Sequence, residues 1–114
     1  MNYMQHKVLV SIVVVHYKAN REFFNCLYSI KSNKQKSSIE VIVVDNDEKP
    51  SIEKKLKQKF PKVLYIKSSG NIGFGAGNNL GVKYAKGEYI FFLNPDTILL
   101  PNAIDYLILK FKEN

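Results

Sequence analysis

Ile39-Glu40-Val41-Ile42-Val43-Val44-Asp45-Asn46-Asp47 is the stretch that decides the fold. From Ile39 to Val44 it is apolar and β-branched apart from Glu40, and at Asp45 it turns abruptly polar. An apolar run that is continuous rather than alternating marks a strand buried on both faces, as in parallel sheets. Val8–Val15, Val63–Ile66 and Tyr89–Leu93 read the same way.

Helical patterns fill the spaces between these runs. Asn20 is placed to cap a helix whose apolar face is Phe23, Leu27 and Ile30. Ser51 is placed to cap a second, with Ile52, Leu56 and Phe60 on one stripe and Pro61 as its stop. Residues 76–85 make a third, with Ala76, Leu80 and Tyr84 on one face and Gly87 closing it. Pro101 opens the last, with Ile104, Leu107, Ile108 and Phe111 expected to face inward. Strands alternating with helices predict an α/β fold: a doubly wound, mainly parallel, Rossmann-like sheet in a three-layer α-β-α arrangement, with right-handed crossovers.

The 114 residues make one domain, and 46% hydrophobic with 24% charged is the balance of a packed chain. A single cysteine, Cys26, excludes a disulfide framework and Cys-cluster metal sites, and suits a reducing cytoplasm. His6 and His16 are too few for a multi-histidine zinc site. The longest apolar run, Val8–Val15, contains Ser11 and falls far short of the ~20 residues a spanning helix needs. Lys7 before that run resembles the start of a secretory signal. His16-Tyr17-Lys18 offers no small-residue cleavage site, so the run reads as a buried strand.

Lysine and arginine outnumber the acids 17 to 10, for a net charge of +7. The lysines gather at Lys31, Lys34 and Lys36, and at Lys54, Lys55, Lys57 and Lys59. Solvated loops and helix faces are the plain reading; a contact surface for anionic lipid headgroups is the second. Nucleic acid is not an expected partner, because charge alone would carry that reading and no aromatic, glycine-rich RNA-binding strand is present.

Ligands of doubly wound sheets bind beyond the carboxyl ends of the strands. There the sequence places His16-Tyr17, Asp45-Asn46-Asp47, the stretch from Ser68 to Asn79, and Asn94-Pro95-Asp96-Thr97. The glycine-rich run Gly70–Gly77 is neither a phosphate-binding Gly-Lys-Ser/Thr loop nor the dinucleotide fingerprint. It either offers backbone N–H groups to a phosphate or sugar, or lets a helix approach the sheet closely. Asp45 is either a ligand of a base or ribose, or a turn former. Asp96 either reaches a divalent cation shared with a diphosphate, or sits in a plain Asn-Pro turn.

Taken together, Val10–Tyr17, Glu40–Asn46, Gly70-Asn71-Ile72-Gly73-Phe74-Gly75-Ala76-Gly77-Asn78-Asn79 and Leu93-Asn94-Pro95-Asp96-Thr97 resemble family-2 glycosyltransferases of the GT-A fold. The last two stretches are similar to the rhamnosyltransferase-like branch, bacterial enzymes of polysaccharide biosynthesis. The resemblance implies a nucleoside-diphosphate sugar, UDP- or dTDP-linked, as donor. It implies that His16 and Tyr17 lie against the base, that Asp45 binds it, and that Asn71, Gly73 and Asn78 line the nucleotide and sugar. It also implies that Asp96 holds Mg²⁺ or Mn²⁺, with Asn94 standing where the family's Asp-x-Asp motif has its first acid.

By the same resemblance, residues 1–114 are the N-terminal, nucleotide-sugar-binding half of such an enzyme. They would be either a fragment or a truncated product. The acceptor site, for a glycan or lipid-linked acceptor, and the general base of inverting transfer are expected in a half not present here. No residue in these 114 matches that base. The expected location is cytoplasmic, with peripheral contact at the inner face of the membrane.

Overall fold

The computed structural model describes residues 7–113. In chain order the elements are β1 (Val10–His16), α1 (Asn20–Ser32), β2 (Ile39–Asp45), α2 (Glu53–Lys59), β3 (Leu64–Lys67), α3 (Gly73–Val82), β4 (Tyr89–Leu93) and α4 (Ala103–Glu113). The strands form one sheet in the order β3-β2-β1-β4, every pairing parallel. Register runs from Val10 opposite Ile39 to His16 opposite Asp45, and Val14 of β1 stands opposite Leu93 of β4. This is the fold class expected from the alternating pattern.

Strands are added outward from β1 through β2 to β3, and the chain then crosses back to lay β4 on β1's other side. With right-handed crossovers, that reversal sends α3 to the face opposite α1 and α2. Two cores result. On one face Val10, Ile12, Val14 and Val43 pack with Phe23, Leu27, Ile52, Leu56, Ile104 and Ile108. On the other, Val13, Val15, Ile42 and Val44 meet Leu80 and Ala85. Alternate residues of β1 therefore serve alternate cores, which is why the strand is apolar at every position but Ser11 and its terminal His16, and is buried throughout.

Gly77 and Gly81 fall one turn apart on the side of α3 that meets β1. A Cβ on Gly77 would stand 2.9 Å from Val15 Cγ1, and one on Gly81 would stand 2.5 Å from Val13 Cγ1. Part of the glycine pattern therefore exists to let this helix lie close on the sheet.

Several local expectations are corrected. Asn20 and Ser51 cap nothing: the N-caps are Ala19 and Ile52, and neither makes a side-chain cap bond. The third helix starts at Gly73, and Tyr84 lies beyond its end, exposed. In β4, Ile90 and Phe92 are exposed rather than buried, because α3 packs over β1 and β2 and leaves that face of the edge strand open. In α4 only Ile104 and Ile108 are buried. Leu107 and Phe111 are exposed, since a helix at the edge of the layer turns one narrow stripe to the core.

Candidate functional site

The strand order reverses between β1 and β4, and doubly wound sheets bind ligands in the crevice beyond the carboxyl ends of the strands at such a reversal. His16 closes β1, Asp45 closes β2, Lys67 closes β3, and the Asn94–Thr97 turn follows β4. All the polar sequences named above except the interior of α3 therefore share one edge of the sheet.

His16 and Asp45 stand opposite each other in register, and both side chains are fully buried. His16 Nδ1 donates to Asp45 Oδ1 at 2.9 Å. The Asp47 N–H donates to the same oxygen at 3.0 Å, and the Tyr65 hydroxyl donates to Oδ2 at 2.6 Å. His16 Nε2 lies 2.8 Å from Asn20 Oδ1, and Asn20 Nδ2 donates to Ser51 Oγ at 3.2 Å. A neutral ring that donates at Nδ1 accepts at Nε2, so the Asn20 amide then turns its Nδ2 toward His16 and its Oδ1 accepts from the Ser51 hydroxyl. Burial alone would raise the Asp45 carboxyl. Hydrogen bonds from His16, Tyr65 and the Asp47 amide outweigh it and hold the group below the usual carboxylate range. Burial, reinforced by Asp45, pushes the Tyr65 hydroxyl up.

Asn46, next along, is almost fully buried, and its Nδ2 donates to the Gly73 carbonyl at 3.0 Å. Its Oδ1 is buried without a partner among the described residues. Ser68 ties the loop after β3 to the same corner. Its Oγ donates either to the Asp45 carbonyl at 3.1 Å or to the Gly70 carbonyl at 2.7 Å. Gly70 and Gly73 both have positive φ, 149° and 85°, which glycine adopts without strain.

The predicted residues thus fall into two sets. His16 and Asp45 are joined in the buried network. Asn71, Gly73, Asn94 and Asp96 are exposed, with Tyr17 and Asn78 half-buried. Asn71 Oδ1 accepts from the Gly73 N–H at 3.3 Å, shaping the loop that starts α3. The Asn94 carbonyl accepts from the Thr97 N–H at 3.0 Å, so the acidic sequence is a tight turn with Asp96 at its tip. Asp96 is one exposed carboxylate. Among the described residues, no group of three His, Cys, Asp or Glu side chains could hold a metal alone. That donor set fits a hard cation only if a ligand's phosphate oxygens complete its shell.

Sequence reading assigned no role to Tyr65, Asn20's link to His16, or Asn46. Tyr65 is part of an apolar run, and nothing in that run signals where its hydroxyl points. Asn20 carried a signal, but for a cap. Asn46 lay inside a quoted stretch, and only its burial draws attention to it.

The family model described as glycosyl transferase family 2 matches residues 11–114. An uncharacterized glycosyltransferase of Methanocaldococcus jannaschii is 33% identical over 112 residues, covering 95% of this chain and 38% of the relative. The low-salt glycan biosynthesis hexosyltransferase Agl10 of Haloferax volcanii is 37% identical over 93 residues, covering 76% of this chain and 27% of the relative. The crystal structure of S. aureus TarS 1-349 in complex with UDP superimposes with a TM-score of 0.76 at 23% identity, over 93% of this chain and 32% of that one. That last likeness is one of fold. The chain spans roughly a third of the length of these proteins.

Proposed function

Since this chain belongs to glycosyl transferase family 2, we propose that its crevice binds the nucleoside-diphosphate part of a sugar donor, for transfer to a polysaccharide or lipid-linked acceptor. The observation that carries the reading is the exposed Asn94–Asp96 turn at the β1/β4 switch point, on the same sheet edge as the loop that opens α3. UDP is the first nucleotide to test, because the TarS structure of this fold was solved with it; dTDP is the second. The sugar is a hexose or a 6-deoxyhexose such as rhamnose, and transfer proceeds with inversion.

The residues divide the work. Tyr17, Asn71 and Asn78 face the nucleotide and sugar. Asp96 presents its carboxylate toward the diphosphate, and Asn94 contributes hydrogen bonds without charge. Mg²⁺ or Mn²⁺, when bound by Asp96 and the diphosphate, neutralises charge on the departing group. The family resemblance implies that Asp45 meets the base. With both oxygens held by protein donors and no exposed surface, it is better placed to hold His16 and the β2 turn in position behind the base. The general base is expected in further polypeptide, as is the acceptor site.

A second reading is a nucleotide-binding module without catalysis. Asn94 in place of an acid favours it. Calorimetry with UDP and dTDP, with Mg²⁺ and with chelator, tests the first reading. Binding that strengthens with metal, and loses that dependence in Asp96→Asn, supports it; equal binding in chelator removes the metal role. Measurable transfer by the 114 residues alone would place the base within them, and the second reading would fall.

A further inference from the structure

At the opposite, amino-terminal edge of the sheet lies a cleft of about 530 Å³ between the ends of α1 and α2. Its walls are apolar: Ile30 from α1, Ile39 at the start of β2, and Phe60 and Val63 between α2 and β3. Lys31, Lys59 and Lys62 stand around it, all three exposed. Lys31 Nζ donates to the Lys59 carbonyl at 3.1 Å and lies over the Phe60 ring, which holds its ammonium at the mouth. None of these three ammonium groups has a carboxylate partner among the described residues. The one acid on the wall, Glu40, accepts from the Ser11 hydroxyl and the Lys86 N–H. Gln35 Oε1 is buried on the wall with no hydrogen-bond partner among the described residues.

We propose that this cleft docks the chain on an anionic phospholipid bilayer. The lipid phosphate sits among Lys31, Lys59 and Lys62, the first acyl carbons lie against Ile39, Pro61 and Val63, and a headgroup hydroxyl donates to Gln35. Long lysine side chains over an apolar floor match the sequence of charge and hydrocarbon met at a bilayer surface. A nucleic acid fits worse. The one aromatic ring in the wall, Phe60, is buried and offers no face on which a base could stack. The candidate crevice, at the far end of β1, would then point away from the membrane at about 20 Å, the length of a strand of this size. The proposal is independent of sugar transfer, because lipid binding is measured without donor.

Flotation with vesicles of equal parts phosphatidylcholine and phosphatidylglycerol, against pure phosphatidylcholine, tests it. The chain is expected to float only with the anionic vesicles. Replacing Lys31, Lys59 and Lys62 together by Gln is expected to lower partitioning about 100-fold, or about fivefold per lysine. Lys49, Lys83 and Lys112 replaced together by Gln change the net charge equally and are expected to stay within about threefold of wild type, since charges beyond a Debye length are screened. Equal losses in the two triple variants would reduce the effect to net charge and overturn the proposal.

The chain has no tryptophan, so Pro61→Trp at the exposed lip gives a clean reporter. Brominated acyl chains are expected to quench it. Binding without quenching would leave the cleft unused and overturn the proposal, as would binding to poly-glutamate but not to vesicles. Calorimetry with UDP on the lysine variant reads the crevice separately and is expected to match wild type.

Discussion

Asp45 is the residue on which the corner of the sheet turns. Its carboxylate accepts from three donors on three separate segments, so it ties the ends of β1, β2 and β3 together. Asp45→Ala leaves His16 Nδ1 buried and unpaired and takes the partner from the half-buried Tyr65 hydroxyl and Asp47 N–H, and should cost about 3–5 kcal/mol by urea denaturation. Tyr65→Phe removes one bond and should cost about 1–2 kcal/mol. The sign of the pH dependence follows from the lowered carboxyl. The unfolded group titrates near 3.9, so its contribution is complete above that value. It is lost as pH falls through the lower folded value. Asp45→Asn should therefore flatten the stability curve below about pH 4 while lowering it near neutrality. Cys26 behaves oppositely. Burial first, and the charge of Asp96 second, push its thiol up to about 11. It should resist a disulfide reagent at pH near 8 until denaturant is added, since thiolate is the reactive form. Rapid labelling of the native chain would contradict its burial.

At the scale of an element, α3 shows one glycine-rich run doing two jobs. Its first turn is exposed and faces the crevice edge, while Gly77 and Gly81 carry the packing. The two jobs separate by mutation. Gly81→Ala forces a methyl to within 2.5 Å of Val13 Cγ1, and should cost about 1–3 kcal/mol through displaced backbone. Gly75→Ala meets nothing within 4 Å, and should stabilise the helix by about 0.5–1 kcal/mol. Thermal denaturation of the pair checks this. Equal effects would mean that α3 does not lie against β1 as described. The element types and their order were legible in the sequence, because apolar runs and apolar stripes are local patterns. The caps were not. Asn20 and Ser51 are good capping residues, but His16 and the chain's approach to each helix claim their side chains for tertiary bonds.

The whole molecule is uneven. One side of the sheet carries α1, α2 and α4, while α3 alone covers part of the other. Among the described residues β4 has no strand on its outer edge, with Ile90 and Phe92 open beside it, and Leu100, Leu109 and Phe111 exposed nearby in sequence. An apolar face next to an unpaired strand edge invites association. The chain should self-associate with rising concentration, and Phe92→Lys should shift light-scattering mass toward the monomer. A wild type that stays monomeric at high concentration would show that this face is harmless in water.

The sequence by itself determined the parallel α/β sheet and the edge on which the polar loops gather. Those follow from hydrophobic period and from the handedness of crossovers, both written locally. Only the tertiary structure decided what the polar residues do there. Asp45 and Asp96 are both acids after a strand, and nothing in their neighbours tells them apart. Packing puts Asp45 between His16 and Tyr65, out of reach of water, and leaves Asp96 at the tip of an open turn. Burial depends on which segments arrive from elsewhere in the chain, and that is a property of the fold rather than of any one stretch.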